Sequence, residues 1–283
     1  MNRLFERARR SACRVAPWLL LAALATPARA QTDFMNTDRG RPLTVEDAIA
    51  IERWGVELQV APLRLERLGR GSYQWGLEPA ITVGLLPRTE FELGLPLAMI
   101  DATGVRITAL AGVDLAVMHQ LNVESDALPA MAVRAEVLLP GGGLGPDRAY
   151  TSLVGLVTRS LTGGVRLHAN AGITAGAAAS AGAGVAGPGA RDLSRWMAGV
   201  AIDRTWALSS TLVGLDATVR EPLGQPGARE WSVGVGTRIQ LDPRWLMDVG
   251  IGRRGGANSE AWYATVGGAF ALGWRFGGLM GGN

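Results

Sequence analysis

Apolar and polar residues alternate in segment after segment of the chain beyond residue 50. Residues 231–236, for example, read Trp-Ser-Val-Gly-Val-Gly. Successive side chains of a β-strand point to opposite faces, so this pattern predicts strands with one apolar and one polar face. Nothing after residue 30 shows the ~20 consecutive apolar residues of a membrane-spanning helix. We predict twelve strands, at residues 53–66, 72–85, 89–100, 104–119, 129–139, 149–160, 164–175, 195–204, 209–220, 229–241, 244–254 and 260–276.

Strands of this kind have two explanations. In a soluble sandwich or barrel the apolar face points inward, whereas in a membrane barrel it points to lipid and the polar face lines the interior. The predicted connections alternate between short and long, which is typical of outer-membrane barrels with short periplasmic turns. The short turns are 86–88, 161–163, 205–208 and 242–243, with 120–128 somewhat longer. The loops at the other end are 140–148, 176–194, 221–228 and 255–259, with 67–71 and 101–103 as short exceptions.

Aromatic residues concentrate at the two ends of the predicted strands. Belts of aromatic side chains at two water–lipid interfaces are expected of a membrane barrel, whereas a soluble core places aromatics in mid-strand. One belt would hold Tyr73, Trp75, Tyr150, Trp196, Trp231, Trp262 and Tyr263, and the other Trp54, Phe91, Trp206, Trp245, Trp274 and Phe276.

The first thirty residues have the order of a secretory signal peptide. An arginine-rich start precedes an apolar run at 16–25, and Ala28-Arg29-Ala30 supplies a small-x-small cleavage site. The alternative is a transmembrane anchor, but a run of about ten residues is too short to span ~30 Å of hydrocarbon as a helix. We therefore predict that 1–30 is cleaved and that the mature chain begins at Gln31.

Cleavage changes what the composition implies. The segment takes away six Arg, one Glu and the only cysteine, so the formal charge moves from +3 to −2. A cysteine-free chain forms no disulfide framework and no Cys-rich metal centre. The loss of basic charge removes the compositional support for nucleic-acid binding. We predict no metal site and no cofactor.

These observations favour an all-β protein: a transmembrane, antiparallel, up-and-down β-barrel of about 12 strands in the outer membrane of a Gram-negative bacterium. Only a closed barrel satisfies every backbone group of a β structure in lipid. We assign 1–30 to the signal peptide, 31–52 to an N-terminal periplasmic segment, 53–276 to the barrel and 277–283 to a C-terminal tail. Residues 31–52 lack alternation and are a candidate plug for the lumen.

Several runs carry a family resemblance. Asn36–Arg39, Leu43–Asp47, Trp75–Pro79, Gly84–Glu90 and Gly142–Arg148 resemble proteobacterial outer-membrane barrels grouped as a MetA-pathway phenol-degradation, or transporter, family. The resemblance covers most of the barrel and implies an outer-membrane location and uptake of small aromatic compounds. It brings no catalytic motif.

One departure concerns the end of the chain. Trp274-Arg275-Phe276 resembles the terminal aromatic signal that many outer-membrane barrels present to the barrel-assembly machinery, but seven more residues follow it. Either this tail extends into the periplasm or the last strand is shifted.

The polar face of the predicted barrel carries charges of both signs. One interpretation is structural, with paired side chains filling a small barrel. The other is a polar passage whose charges orient a solute. The candidate lumen-lining residues are Glu57, Glu78, Glu92, Arg106, Asp114, Arg134, Glu136, Arg166, His168, Asp203, Asp216, Arg220, Arg238, Asp248 and Arg275.

Three functions follow from this architecture. The first is a channel or passive transporter for small, aromatic or hydrophobic solutes, with outer-membrane lipid, an unidentified solute and the assembly machinery as partners. The second is a non-conducting barrel with a structural or surface-interaction role. The third is an outer-membrane hydrolase, which needs a positioned His as base. Only His119 and His168 are available, and the register unites no Ser/His/Asp set, so no catalytic residue is predicted.

Overall fold

The computed structural model describes residues 35–69, 72–102, 105–175, 193–206, 208, 210–223, 225–256 and 260–273. The predicted signal peptide, the tail and the Trp274–Phe276 strand end lie outside these ranges. The described strands are β1 (Gly55–Gly69), β2 (Ser72–Leu86), β3 (Thr89–Gly94), β4 (Leu97–Ala102), β5 (Val105–Leu110), β6 (Val113–Asn122), β7 (Ala130–Leu139), β8 (Tyr150–Ser160), β9 (Val165–Ala175), β10 (Ser194–Trp206), β11 (Thr211–Pro222), β12 (Glu230–Gln240), β13 (Trp245–Gly255) and β14 (Ala261–Gly273).

All these strands belong to one antiparallel sheet that closes on itself. β1 pairs with β2 on one side and with β14 on the other, with Gly55 opposite Gly273 at the closure. Closure gives the edge strands hydrogen-bond partners, as a β structure in lipid requires. The predicted up-and-down barrel of twelve strands is confirmed, because β3 with β4, and β5 with β6, each form one interrupted barrel strand.

The two interruptions have local causes. Pro96, which has no N–H for the ladder, separates β3 from β4, and its carbonyl instead accepts a hydrogen bond from Ala111 N at 2.7 Å. Opposite it, Gly112 separates β5 from β6 with φ 115°, a conformation that side chains rarely allow. Residues 111–113 lie opposite residues 95–96, so the second barrel strand has one extra residue at the break, and this residue reverses which side chains of β5 face outward.

Apolar side chains lie on the outer face of the barrel, and charged side chains lie inside it. Charged residues such as Arg134, Asp203 and Arg238 are buried at 2 %, 1 % and 0 % exposure. A soluble sandwich would show the reverse, so that alternative is wrong for this chain and the outer face is suited to lipid. Within the described ranges, no helix is long and apolar enough to cross a membrane. Exposed apolar residues on the strands include Leu58, Leu93, Leu115, Val200, Ile202, Leu215, Val235, Ile251 and Val266.

Most described aromatics follow the two-belt prediction. Exposed tryptophans stand at both ends of the strands: Trp54, Trp206 and Trp245 at the end with the short turns, and Trp231 and Trp262 at the other.

Two tyrosines depart from the belts and point inward. Tyr150 is buried and donates to Asp147 Oδ1 at 2.8 Å, while Tyr263 lies beneath the Arg64 guanidinium at 4.1 Å. The Tyr263 hydroxyl therefore lies on the inward face, whereas the Tyr150 hydroxyl lies at the start of β8 beside the connection that holds Asp147.

The lipid-facing surface gives a testable difference between two leucines. Leu215 lies on the outer face of β11, whereas Leu208 lies in the connection between β10 and β11, and both are exposed. Leu215→Arg should lower the free energy of unfolding from phospholipid vesicles by roughly 2–4 kcal/mol, because it places a charge in hydrocarbon. Leu208→Arg should leave it nearly unchanged. Urea titration of vesicle-folded protein measures both, and equal effects would contradict a lipid-facing β11.

Candidate functional site

Residues 35–52, the inner segment, lie inside the barrel. They contact inward-facing side chains from strands around the whole circumference, including β3, β7, β9, β11 and β13. The segment is folded on itself: Asp38 and Arg41 exchange backbone hydrogen bonds, and Asp47 Oδ2 accepts from Thr37 N at 2.9 Å. Its most deeply buried side chains are Thr37, Arg41, Leu43, Val45, Asp47 and Ala48.

One ionic cluster joins the inner segment to β1, β12 and β13. Arg238 Nε donates to Asp248 Oδ1 at 2.7 Å, and its Nη2 donates to Asp38 Oδ2 at 2.8 Å. Arg41 donates to Glu57 at 2.9 Å and to Asp248 at 3.2 Å. Both guanidinium groups are buried, at 0 % and 1 % exposure. Breaking such a pair by removing one partner costs about 3–5 kcal/mol, because an uncompensated charge remains buried.

A second cluster centres on Arg166 of β9. Its Nε and Nη2 donate to the two carboxylate oxygens of Asp203 at 3.0 and 2.7 Å, a bidentate arrangement. The same guanidinium donates to Asp47 at 3.4 Å and to the Met35 carbonyl at 2.5 Å. Arg166 therefore holds both a wall carboxylate and the inner segment.

His168 belongs to this second cluster. Its Nε2 lies 3.0 Å from Asp203 and its Nδ1 lies 3.0 Å from the Thr158 hydroxyl. Although this resembles a hydroxyl–imidazole–carboxylate triad, Thr158 is 1 % exposed and its oxygen accepts a hydrogen bond from Ala48 N. His168 thus supports the seat of the inner segment. His119, near a short turn, contacts Thr89 instead.

A third cluster surrounds Arg134 of β7. Its guanidinium donates to Glu46 of the inner segment at 3.2 Å and to Glu92 at 2.8 Å. Glu136, two residues along the same strand, is paired with Arg39 of the inner segment. The wall and the segment therefore each supply both an arginine and a carboxylate to the ion pairs between them.

Wall carboxylates also bind backbone N–H groups of the segment. Asp216 accepts from Thr44 N at 2.5 Å and from Val45 N at 3.3 Å, and Glu90 accepts from Ile51 N at 2.8 Å. Since a buried N–H without a partner is costly, these contacts satisfy a chain that forms no regular secondary structure of its own.

The wall is shaped for the segment by glycines on four neighbouring strands. A Cβ at Gly236 would lie 2.6 Å from the Pro42 carbonyl oxygen, and one at Gly250 would lie 2.7 Å from the same atom. Both distances are below van der Waals contact, so a side chain at either position must displace the segment. A Cβ at Gly214 would lie 2.6 Å from Cδ1 of Leu43, and a Cβ at Gly199 would lie 2.8 Å from Cγ2 of Val45.

Thirteen of the fifteen predicted lumen residues lie on the inward face, while Arg106 and Arg275 do not join them. Arg106 is 74 % exposed and pairs with Asp101 on the face that carries Tyr73, because the break at Gly112 shifts the alternation of β5. Arg275 lies outside the described residues. The inward residues are Glu57, Glu78, Glu92, Asp114, Arg134, Glu136, Arg166, His168, Asp203, Asp216, Arg220, Arg238 and Asp248.

Sequence reasoning missed three groups of residues in the interior. Glu90 shares the face of Glu92, so the alternation itself carried the signal. Arg64 and Glu66 follow the register shift between Gln59 and Leu63, which hides their face in the sequence. The charged residues of the inner segment had no period from which their partners could be inferred.

Two cavities adjoin the inner segment. The larger is about 170 Å³ and is lined by the segment and by residues near the strand ends that carry the longer connections, among them Ser152 and Ser194. The smaller, about 30 Å³, lies between the segment and β1–β3. Asp38, Glu46 and Glu92 are among the residues that line both. The inner segment therefore separates two spaces within the barrel.

Comparison with known proteins gives the fold. No protein-family model and no curated protein matches the sequence. The COG4313 outer membrane channel from Pseudomonas putida F1 is similar over 80% of this chain and 98% of its own, with 14% identity and a TM-score of 0.53. Two further structures have lower TM-scores. The KdgM porin has 10% identity and a TM-score of 0.47 over 77% of this chain and 99% of its own. The β domain of the Bordetella autotransporter Brka has 15% identity and a TM-score of 0.49 over 77% of this chain and 99% of its own. These identities show the barrel fold alone.

The wall glycines give a prediction about the seat. Gly236→Val should weaken docking of the inner segment by about 1–3 kcal/mol, because the added side chain overlaps Pro42. Hydrogen exchange across 36–47 should accelerate while the barrel strands stay protected. Gly155→Ala is the matched control, because the nearest atom to its new Cβ is 3.9 Å away. Equal exchange in both variants would contradict a fitted seat.

The carboxyl group of Glu46 makes docking depend on pH. Burial raises its pKa to about 7 from the ordinary 4.5, although Arg134 opposes the shift and Glu92 adds to it. Burial likewise raises the pKa of Asp47 to about 6, against Arg166 and His168. The docked segment thus favours protonated carboxyl groups. This stabilisation is complete below the released-state pKa and is lost as the pH rises through the docked value.

Docking should therefore weaken between pH 5 and pH 8. Hydrogen exchange across 36–47, corrected for its intrinsic pH dependence, should show protection falling over this window. Glu46→Gln should reduce the fall. Protection that is constant, or that rises with pH, would contradict this assignment.

Proposed function

We propose that the chain is an outer-membrane channel, or passive transporter, for small solutes in a Gram-negative bacterium, and that the inner segment is its plug. The observation that best supports this function is a closed barrel with an apolar exterior and a charged interior, in which residues of the inner segment are bound. A solute that crosses such a barrel must pass through the interior that this segment occupies.

The contacts between the plug and the wall support the proposal that the plug can leave its seat. Its contacts with the wall are ion pairs, hydrogen bonds and small apolar contacts of residues such as Leu43 and Val45 with Ala201. Its own strand pairing is limited to a bridge between Asp38 and Arg41. Release therefore leaves the barrel ladder intact, and Arg53 and Trp54 still connect the segment to β1.

The solute class is a finer proposal. The resemblance of Asn36–Arg39, Trp75–Pro79 and Gly142–Arg148 to the MetA-pathway phenol-degradation family supports small aromatic compounds as candidates. In the fold's usual orientation, the short turns face the periplasm and the longer connections face outward. The larger cavity is then an outer vestibule, and the plug closes the periplasmic side.

The non-conducting barrel is the second candidate, favoured by the dense ion pairing inside. Arg238 alone contacts Asp248, Asp38 and the backbone of Arg41. If this packing serves only structure, removing the segment should destabilise the barrel without opening a path.

Solute flux separates the two candidates. Deletion of 36–50, with the remaining chain unchanged, should increase the swelling rate of liposomes in a small neutral sugar by about tenfold or more, because the seat becomes an aqueous lumen. Asp101→Asn, which removes an exposed ion pair outside the interior, should keep the wild-type rate. Heat-modifiable gel migration checks that each barrel is folded. A folded deletion variant without flux would contradict the channel and favour the structural role.

A further inference from the structure

One lipid-facing patch, at the end with the longer connections, places an arginine on each side of a tryptophan. Trp262 of β14 lies directly opposite Arg67 of β1 in one ladder and directly opposite Arg253 of β13 in the other. Arg67 in turn lies opposite Tyr73 of β2. Residues directly opposite each other in a ladder share one face of the sheet. Because Trp262 and Tyr73 are exposed, at 58 % and 38 %, all four residues belong to the outer face, and we call them the outer patch.

The two arginines of the outer patch are weakly held by the protein itself. Arg253 lies over the Trp262 ring at 5.6 Å and donates to Glu260 at 2.8 Å, but this ion pair is largely exposed and contributes little. Arg67 is exposed, and among the described residues it forms no hydrogen bond or ion pair. Neighbouring strands are about 4.8 Å apart, so the backbones of Arg67 and Arg253 are about 10 Å apart. Two side chains of this length can therefore reach one anion between them.

The surroundings of the outer patch indicate an anion that belongs to a lipid. The next outward residues along the two strands are apolar: Ala264 and Val266 on β14, and Ile251 on β13. Acyl chains attached to a phosphate at the patch would lie over these residues. In the fold's usual orientation the longer connections face outward, which places the patch in the outer leaflet. The glycolipid of that leaflet in Gram-negative bacteria, lipid A, carries phosphate groups on its sugar headgroup.

We propose that the outer patch binds a phosphate group of lipid A, with Arg67 and Arg253 as the donors. A guanidinium suits this role because its planar group donates two parallel hydrogen bonds to a phosphate. Trp262 and Tyr73 lie between and beside the two arginines, at the level where aromatic rings meet lipid headgroups. Glu260 competes with the phosphate for Arg253. The site lies on the outside of the barrel, so it does not depend on whether the lumen conducts.

The opposite end of the barrel provides an internal comparison. There Arg204 lies over the Trp206 ring at 4.9 Å, which is the same kind of contact as that of Arg253 with Trp262. The residues opposite Arg204 in its two ladders are Val165 and Val213, so no second arginine flanks it there. A general attraction of arginine–tryptophan pairs to anionic lipid predicts equal behaviour at both ends. A site for lipid A predicts binding at the outer patch alone.

Native mass spectrometry of the full chain in detergent, with added bis-phosphorylated lipid A, tests the proposal. The wild-type chain should bind lipid A and should bind its dephosphorylated form about tenfold more weakly or less. Arg67→Gln and Arg253→Gln should each weaken binding by about tenfold, the effect of losing one charge-assisted hydrogen bond. Glu260→Gln should tighten binding, because it removes a negative charge beside the phosphate. Arg204→Gln is the matched control and should leave the affinity unchanged.

Three results would overturn the proposal: equal binding of dephosphorylated lipid A, unchanged binding in both Arg67→Gln and Arg253→Gln, or an equal loss in Arg204→Gln. Phosphatidylglycerol, added in the same way, separates lipid A from anionic lipids in general. It should bind more weakly, and equally tight binding that Arg67→Gln abolishes would reject lipid A as the specific ligand. Heat-modifiable gel migration checks that every variant is folded.

Liposome swelling in a neutral sugar keeps this proposal apart from the channel. The substituted residues lie outside the lumen, so every variant should keep the wild-type swelling rate. Loss of lipid A binding with unchanged swelling supports a site on the outer surface alone. Swelling that changes in parallel with lipid A binding would contradict that placement.

Discussion

The structure depends on the burial of arginine inside a barrel whose outer face is apolar. A guanidinium stays charged in proteins, so Arg134, Arg166 and Arg238 need carboxylates within reach wherever water is excluded. The wall supplies some of these acids and the inner segment supplies the rest. Each arginine therefore ties the segment to a different part of the circumference, and none of the three clusters is complete with wall residues alone.

The same need to pair buried charges determines how the inner segment is docked, and so bears on the channel that we propose. Ion pairs and hydrogen bonds need accurate geometry to offset desolvation, and the wall glycines provide it by letting residues 42–45 approach the backbone closely. These contacts are polar, so water and solute ions that enter the lumen compete for them. Apolar packing of the same extent would not be open to that competition. A segment held by charges is thus suited to the role of plug that we propose, in a barrel whose interior becomes wet.

The sequence predicted the fold almost completely and the site in part. Alternation identified twelve barrel strands because each must present one face to lipid and one to the interior. It also placed residues such as Asp203 and Arg238 on the inward face, where the structure has them. It failed for Arg106, because a one-residue irregularity at Gly112 reverses the faces of β5 relative to those of β6, and this break leaves no change in composition.

What the sequence determined by itself is the alternation, and through it the strand number, the inside-out polarity and the inward charges. Period two is a local property of the extended backbone, so it can be read without partners. Tertiary structure alone decided which charges meet. Arg238 lies 200 residues from Asp38 in the chain, and closure of the barrel brings them together. Residues 35–52 have no period, so only their fit against the barrel wall, including the glycines of β10–β13, shows where they belong.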